Sequence, residues 1–166
     1  EQAQRAHPDV LQHVLRFNAP DDPQDLGALA ARQPPRFTAC PTAADDIALL
    51  AFTSGTTGAP KAVVHTHHDV MAACECWPRH VLKPTPDDVV TGSPPLAFTF
   101  GLGGLLLFPM WAGASIFYPD GPYNPESMVR QMRAHGVTTC YTAPTFYRQM
   151  APHAKAIGIP SLRISA

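Results

Sequence analysis

Apolar and polar positions fall into short blocks along the chain, and the blocks predict strands and helices taking turns. Residues 47–52 form an unbroken apolar run, short enough for a buried strand. A second β-rich run, 62–67, carries the pair Val63 and Val64 and puts His65 and His67 on one face with Thr66 on the other. Asp69 then reads as the N-cap of a helix that runs through Val70, Met71, Ala72 and Ala73 to about Trp77, where Pro78 kinks or ends it. Asp87 and Asp88 turn the chain into a short strand at 89–91, followed by a loop. Residues 105–111 are apolar enough for a buried helix that Gly113 ends, and 114–118 read as the next strand. Asn124 caps a helix with Pro125 at its first position, Glu126 in its first turn and Met128, Val129 and Met132 along one face. Gly136 closes that helix. A strand at 137–142, a helix over 145–150 started by Pro144, and a last strand at 162–165 complete the series.

Short connections between alternating strands and helices predict an α/β fold, a mainly parallel sheet flanked by helices. Residues 1–41 stand apart as a helical and linker segment ahead of a core at 42–166. In that segment Leu11, Val14, Leu15 and Phe17 line one prospective helical face, and Asp25 or Gly27 opens a short helix that reaches Ala31. Asp45 and Asp46 read as a solvated lead into the first core strand, without a catalytic role.

Composition narrows the classes of function. A length of 166 residues suits one ordinary domain with a real core. A net charge of −1 suggests neither nucleic acid nor an anionic membrane surface as a partner. No apolar run reaches the ~18 residues of a membrane span. The 19 prolines are spread along the chain and mark element boundaries. Cys40, Cys74, Cys76 and Cys140 have neither disulfide-framework nor zinc-site spacing and read as reduced, buried thiols of a cytoplasmic protein. His65, His67 and His68 cluster, yet no cysteine or carboxylate lies at a spacing that would complete a metal site.

Candidate chemistry concentrates between the first two strands. The loop there holds Thr53, Ser54, Gly55, Thr56, Thr57 and Gly58, then Pro60 and Lys61. Glycines let backbone N–H groups approach an anion, hydroxyls donate to phosphate oxygens, and a lysine at the exit supplies positive charge. The spacing is not that of a Walker loop, and glycine-rich loops between strands also make ordinary turns. A second stretch, Phe98, Thr99, Phe100 and Gly101 with Leu102 and Gly103, follows the predicted strand at 89–91. That is the end of an α/β sheet at which ligands bind. Its rings and glycines fit a flat apolar ligand, although from the residues alone an aromatic pair facing the core is the simpler reading.

The string Thr-Ser-Gly-Thr-Thr-Gly-x-Pro-Lys, entered from an apolar strand and left through Val-Val-His-Thr-His, resembles the signature loop of the adenylate-forming (AMP-binding) superfamily. The Phe-x-Phe-Gly-Leu-Gly stretch is similar to the Phe-x-Tyr-Gly-Leu-Gly arrangement of benzoate- and 2-aminobenzoate-type aryl-CoA ligases, with Phe100 standing where that group has tyrosine. The resemblance covers about residues 45–166 and implies part of the large N-terminal domain of such an enzyme. It implies ATP, Mg²⁺ and coenzyme A as cofactors and an aromatic carboxylic acid as substrate. Thr53, Ser54, Gly55, Thr56, Thr57, Gly58 and Lys61 would bind phosphate, Lys61 acting in catalysis and Thr56 reaching Mg²⁺. Phe98, Thr99, Phe100 and Gly101 would shape the acid pocket, with Tyr141, Ala143 and Pro144 at its border. The superfamily's catalytic lysine, metal-binding glutamate and ribose-binding aspartate have no counterpart in these residues, so this piece alone is expected to be inactive. A homodimer of the full-length enzyme is compatible with the resemblance. So are two other readings, an adenylation domain that loads a carrier protein and a non-catalytic nucleotide-binding module.

Overall fold

The computed structural model describes residues 2–11, 13–53, 58 and 60–166. They form two compact units, Glu1–Pro41 and Thr42–Ala166.

The first unit holds two short helices, α1 (Gln2–Ala6) and α2 (Leu26–Ala31). Asp25 starts α2 as anticipated: its carboxylate accepts from the N–H of Ala28 at 2.9 Å and from that of Ala19 at 3.1 Å. The helical face expected at Leu11, Val14, Leu15 and Phe17 does not form. These residues lie in turns and irregular chain, Phe17 is 77% exposed, and Asn18 breaks the backbone with a left-handed φ of 57°. Four apolar positions at helical spacing without caps or packing are too few to hold a helix in water.

In the second unit, β1 (Ile47–Thr53) and β2 (Lys61–Thr66) form an antiparallel hairpin. Helix α3 (His67–Trp77) follows, ending in one wide π turn over Pro78–Leu82. Then come β3 (Val89–Gly92), α4 (Thr99–Leu102), a second π turn over Gly103–Leu107, α5 (Phe108–Ala112) and β4 (Ser115–Ile116). The chain ends in α6 (Pro125–Ala134), β5 (Thr139–Tyr141), α7 (Pro144–Ile157) and β6 (Ile164–Ser165). The last four strands make a parallel sheet in the order β4-β3-β5-β6.

That order follows from the side-chain pattern. Along β5, alternate residues face opposite sides. Cys140 enters a cluster with Met128, Val129 and Met132 of α6, Val137 ahead of β5 and Met150 of α7. Tyr141 enters the other cluster, with Leu82, Val90 and Leu105, under the α4–α5 segment. Helices therefore cover both faces, and each fully buried Met or Val side chain contributes roughly 1.5–3 kcal/mol. The connection leaving β3 runs to one side of the sheet and the one leaving β5 to the other. The C-terminal ends of β3 and β5 thus form the switch point at which such sheets bind ligands.

Several expectations need correction. β1 is not buried in the parallel sheet. It belongs to the hairpin, and Leu50, Phe52 and Val64 stand exposed on one hairpin face, Phe52 at 69%. His67 does not share a strand with His65, because Thr66 ends β2 and caps α3. The Thr66 hydroxyl accepts from the Asp69 N–H at 3.2 Å while the Asp69 carboxylate accepts from the Thr66 N–H at 2.8 Å, so Asp69 closes a capping box and is not itself the cap. The helix expected over 105–111 begins earlier, at Thr99, and Met110 is exposed. Helix α7 runs on to Ile157 through Pro152. Of the four cysteines, Cys74 and Cys140 are buried, whereas Cys40 and Cys76 are exposed.

Candidate active site

Antiparallel pairing places Thr53 opposite Lys61 at the loop end of the hairpin, with the Thr53 hydroxyl donating to the Lys61 carbonyl at 3.4 Å. Both side chains are exposed. Gly58 adopts a φ of 88°, which a side chain would strain, and among the described residues nothing lies within 4 Å of where its Cβ would be. Ser54, Gly55, Thr56 and Thr57 lie outside the described residues. Because side chains alternate along a strand, Lys61, Val63 and His65 share one hairpin face, together with their cross-strand partners Thr53, Ala51 and Leu49.

At the far end of that face lies a pocket of about 280 Å³. Leu49 and His65 line it from the hairpin, Asp69, Val70 and Ala73 from α3, and Thr99, Leu102, Gly103, Leu107 and Phe108 from the α4–α5 segment. Its wall is apolar except at His65, Asp69 and Thr99. Asp69 is held below the usual carboxylate range, first by the Thr66 N–H and then by the Thr66 hydroxyl. A volume near the ~300 Å³ lower bound of small-molecule sites suits a single ring.

The residues named from the second sequence stretch divide between two sides of α4. Thr99 lines the pocket. Phe100 points to the sheet, its ring 6.0 Å from that of Tyr141 in an edge-on arrangement. Gly101 lines nothing. A Cβ there would collide with the Pro95 carbonyl oxygen, so Gly101 allows α4 to rest on the Pro94–Pro95 backbone. Gly104 does the same for the Tyr141 ring, which a Cβ would meet at 2.8 Å. Phe98 is exposed at the start of α4. Tyr141 is buried, and burial pushes its phenol up to about 12. At the switch point the hydroxyls of Ser93 and Thr142 bond to each other. Ala143 and Pro144, exposed, begin α7 beside them.

Sequence reasoning missed His65 and Asp69 as pocket residues. The available signal was the i, i+4 spacing of Asp69 and Ala73, which puts both on one face of α3. Among the described residues no group of three His, Cys, Asp or Glu side chains could hold a metal ion, and no helix is long and apolar enough to cross a membrane.

The fold combines a four-stranded parallel sheet with a separate antiparallel hairpin that carries Thr53 and Lys61. The chain belongs to the AMP-binding enzyme family, whose pattern matches residues 1–165, the N-terminal segment included. It is 35% identical over 142 residues to the benzoate–CoA ligase of Thauera aromatica, covering 85% of this chain and 27% of that protein. It is 34% identical over 151 residues to a 4-hydroxybenzoate–CoA/benzoate–CoA ligase of Rhodopseudomonas palustris, covering 90% of this chain and 28% of the relative. Among solved structures, the anthranilate CoA ligase AuaEII in complex with anthranoyl-AMP superposes with a TM-score of 0.78 at 28% identity, over 99% of this chain and 33% of that one. The chain thus spans between a quarter and a third of the length of these relatives.

Proposed function

We propose that the full-length protein carrying this chain is an aryl-CoA ligase. It activates an aromatic carboxylic acid with Mg·ATP as the acyl-adenylate and transfers the acyl group to coenzyme A. The observation that carries this reading is the shared hairpin face: exposed Lys61 and Thr53 at one end, an apolar single-ring pocket at the other. A carboxylate directed from the pocket toward Lys61 meets the α-phosphate of an ATP whose β- and γ-phosphates lie at the loop. Attack forms the acyl–phosphate bond and expels pyrophosphate, and the coenzyme A thiol then displaces AMP. Lys61, Thr53 and the hydroxyls and N–H groups of Ser54, Gly55, Thr56, Thr57 and Gly58 stabilise charge growing on the leaving pyrophosphate. Mg²⁺ arrives with ATP, and Thr56 is the hydroxyl proposed to reach it. Of the four residues expected to shape the acid pocket, Thr99 stands in its wall and Gly101 seats α4, whereas Phe100 packs against Tyr141 and Phe98 is exposed. Four free cysteines fit a cytoplasmic enzyme.

The test is acid-dependent ATP–pyrophosphate exchange by the full-length protein with benzoate, aminobenzoates, hydroxybenzoates and a medium-chain fatty acid. Exchange with an aromatic acid is expected. Exchange only with the fatty acid overturns the ring pocket, and silence with every acid overturns the activity.

A further inference from the structure

One wall of the pocket is a helical segment that shifts register by one residue. On a regular α-helix the stripe that begins at Thr99, Leu102 and Gly103 continues at positions 106 and 107. The pocket is lined instead by Leu107 and Phe108. The extra residue is taken up in the π turn over Gly103–Leu107, where the Phe108 N–H bonds to the Gly103 carbonyl five residues back. An aromatic ring thereby enters the wall, backed by the Trp77 ring of α3 at 6.1 Å.

Pro109 accounts for the wide turn. In an α-helix the N–H of residue 109 would bond to the Leu105 carbonyl, but proline has no N–H and its ring collides with that carbonyl. Leu105 and Pro109 are both buried, where a carbonyl without a donor is costly. Tyr118, two residues beyond β4, supplies a donor: its hydroxyl bonds to the Leu105 carbonyl at 2.8 Å. The preceding residue is fastened to β3, the Phe117 N–H donating to the Val90 carbonyl at 2.8 Å and the Thr91 hydroxyl to the Phe117 carbonyl at 2.7 Å. Resting on the aryl-ligase reading above, we propose that Tyr118 is a positioning residue of the acid pocket. Its hydroxyl takes the place of the N–H that Pro109 lacks and holds the turn in which Leu107 and Phe108 face the ligand. Without that bond the segment populates arrangements that turn Phe108 away, and the acid must restore the wall as it binds. Saturating acid hides this cost, so it falls on KM and not on kcat.

The experiment is ATP–pyrophosphate exchange by the full-length protein with benzoate and the aminobenzoates, comparing wild type, Tyr118→Phe, Pro109→Ala and the double variant. Tyr118→Phe is expected to raise the KM for the acid by about three- to tenfold, the worth of one hydrogen bond, with kcat and the KM for ATP within about twofold. Pro109→Ala gives the Leu105 carbonyl a backbone donor, so in that background Tyr118→Phe should change the acid KM by less than about twofold. An unchanged acid KM in Tyr118→Phe overturns the proposal. So does a fall in kcat at constant KM, which is the mark of lost stability alone, or a joint rise of the KM for acid and ATP. A Tyr118→Phe effect of full size in the Pro109→Ala background overturns it too. If Pro109→Ala does not fold, the division between KM and kcat in Tyr118→Phe decides. Exchange with aromatic acids at an unmoved acid KM removes this inference alone. Absence of exchange with every aromatic acid removes the ligase reading and this inference with it.

Discussion

Arg163, on the approach to β6, reaches back to Asp88, at the start of β3, and ties together the ends of strands that are not neighbours. The guanidinium Nε donates to Asp88 Oδ1 at 2.9 Å, and Thr138, ahead of β5, donates to the same oxygen at 2.6 Å. The Thr85 N–H donates to Oδ2 at 2.7 Å. One carboxylate therefore fixes the N-terminal edges of β3, β5 and β6, which sets the opposite, ligand-binding edge.

Burial pushes the Asp88 carboxyl up, but the bonds from Arg163, Thr138 and Thr85 outweigh it and hold the group well below the usual carboxylate range. A folded-state pKa below the unfolded value means the stabilisation is complete above about pH 4 and is lost as pH falls from there toward the folded value. Asp88→Asn is expected to cost about 2 kcal/mol at neutral pH. The cost falls below the ~3–5 kcal/mol of a fully buried pair because the Arg163 side chain is 40% exposed. Urea unfolding at pH 7 and pH 3 checks both points: the gap between wild type and variant should narrow in acid.

Gly101→Ala would push the new methyl into the Pro95 carbonyl oxygen, backbone against backbone, where no side chain can move aside. A loss of about 1–3 kcal/mol is expected. Because α4 carries Thr99 into the pocket, the acid's KM should rise as well. Thermal unfolding with acid titration of the exchange reaction reads both effects.

Pro152 lies inside α7 on its exposed side, where it cannot donate to the Arg148 carbonyl. Pro152→Ala restores that bond and should stabilise the fold by about 1–2 kcal/mol. The expected rise in Tm is a few degrees, without effect on exchange, since α7 presents this face to solvent.

Local chemistry made much of this fold legible. Asn124, Pro125 and the stripe of Met128, Val129 and Met132 are complete within one helix, and the structure holds them as read, with Asn124 Oδ1 accepting from the N–H groups of Glu126 and Ser127. The strand–helix alternation likewise gave the parallel sheet. What depends on distant partners was hidden. The apolar run of β1 says nothing of which sheet it joins, and its pairing with β2 leaves Phe52 outward. The pocket was legible only in Thr99. Taken as a loop, the stretch from Phe98 to Gly101 sends all its side chains toward one ligand. As a helix it turns successive residues by about 100°, so Thr99 and Phe100 part company. His65 and Asp69 reach the pocket because Thr66 ends β2 and starts α3 between them, a corner set by one hydroxyl.

Lys61 is the most direct probe of the phosphate end. It occupies the first position of β2, opposite Thr53, exposed and on the face that leads to the pocket. If its charge stabilises the departing pyrophosphate, the benefit arises mainly in the transition state, and Lys61→Ala should lower kcat more than it raises the KM for the acid. A fall of about 10²–10³ in kcat for exchange is expected, the range for losing one preorganised electrostatic contact. Thr53→Ala should cost less, about tenfold, because its neutral hydroxyl is one of several donors on the loop. Initial-rate exchange kinetics with the acid saturating and then limiting separate kcat from KM. A Lys61→Ala protein within twofold of wild type in kcat would remove Lys61 from the chemistry and leave the pocket as the part of the site still standing.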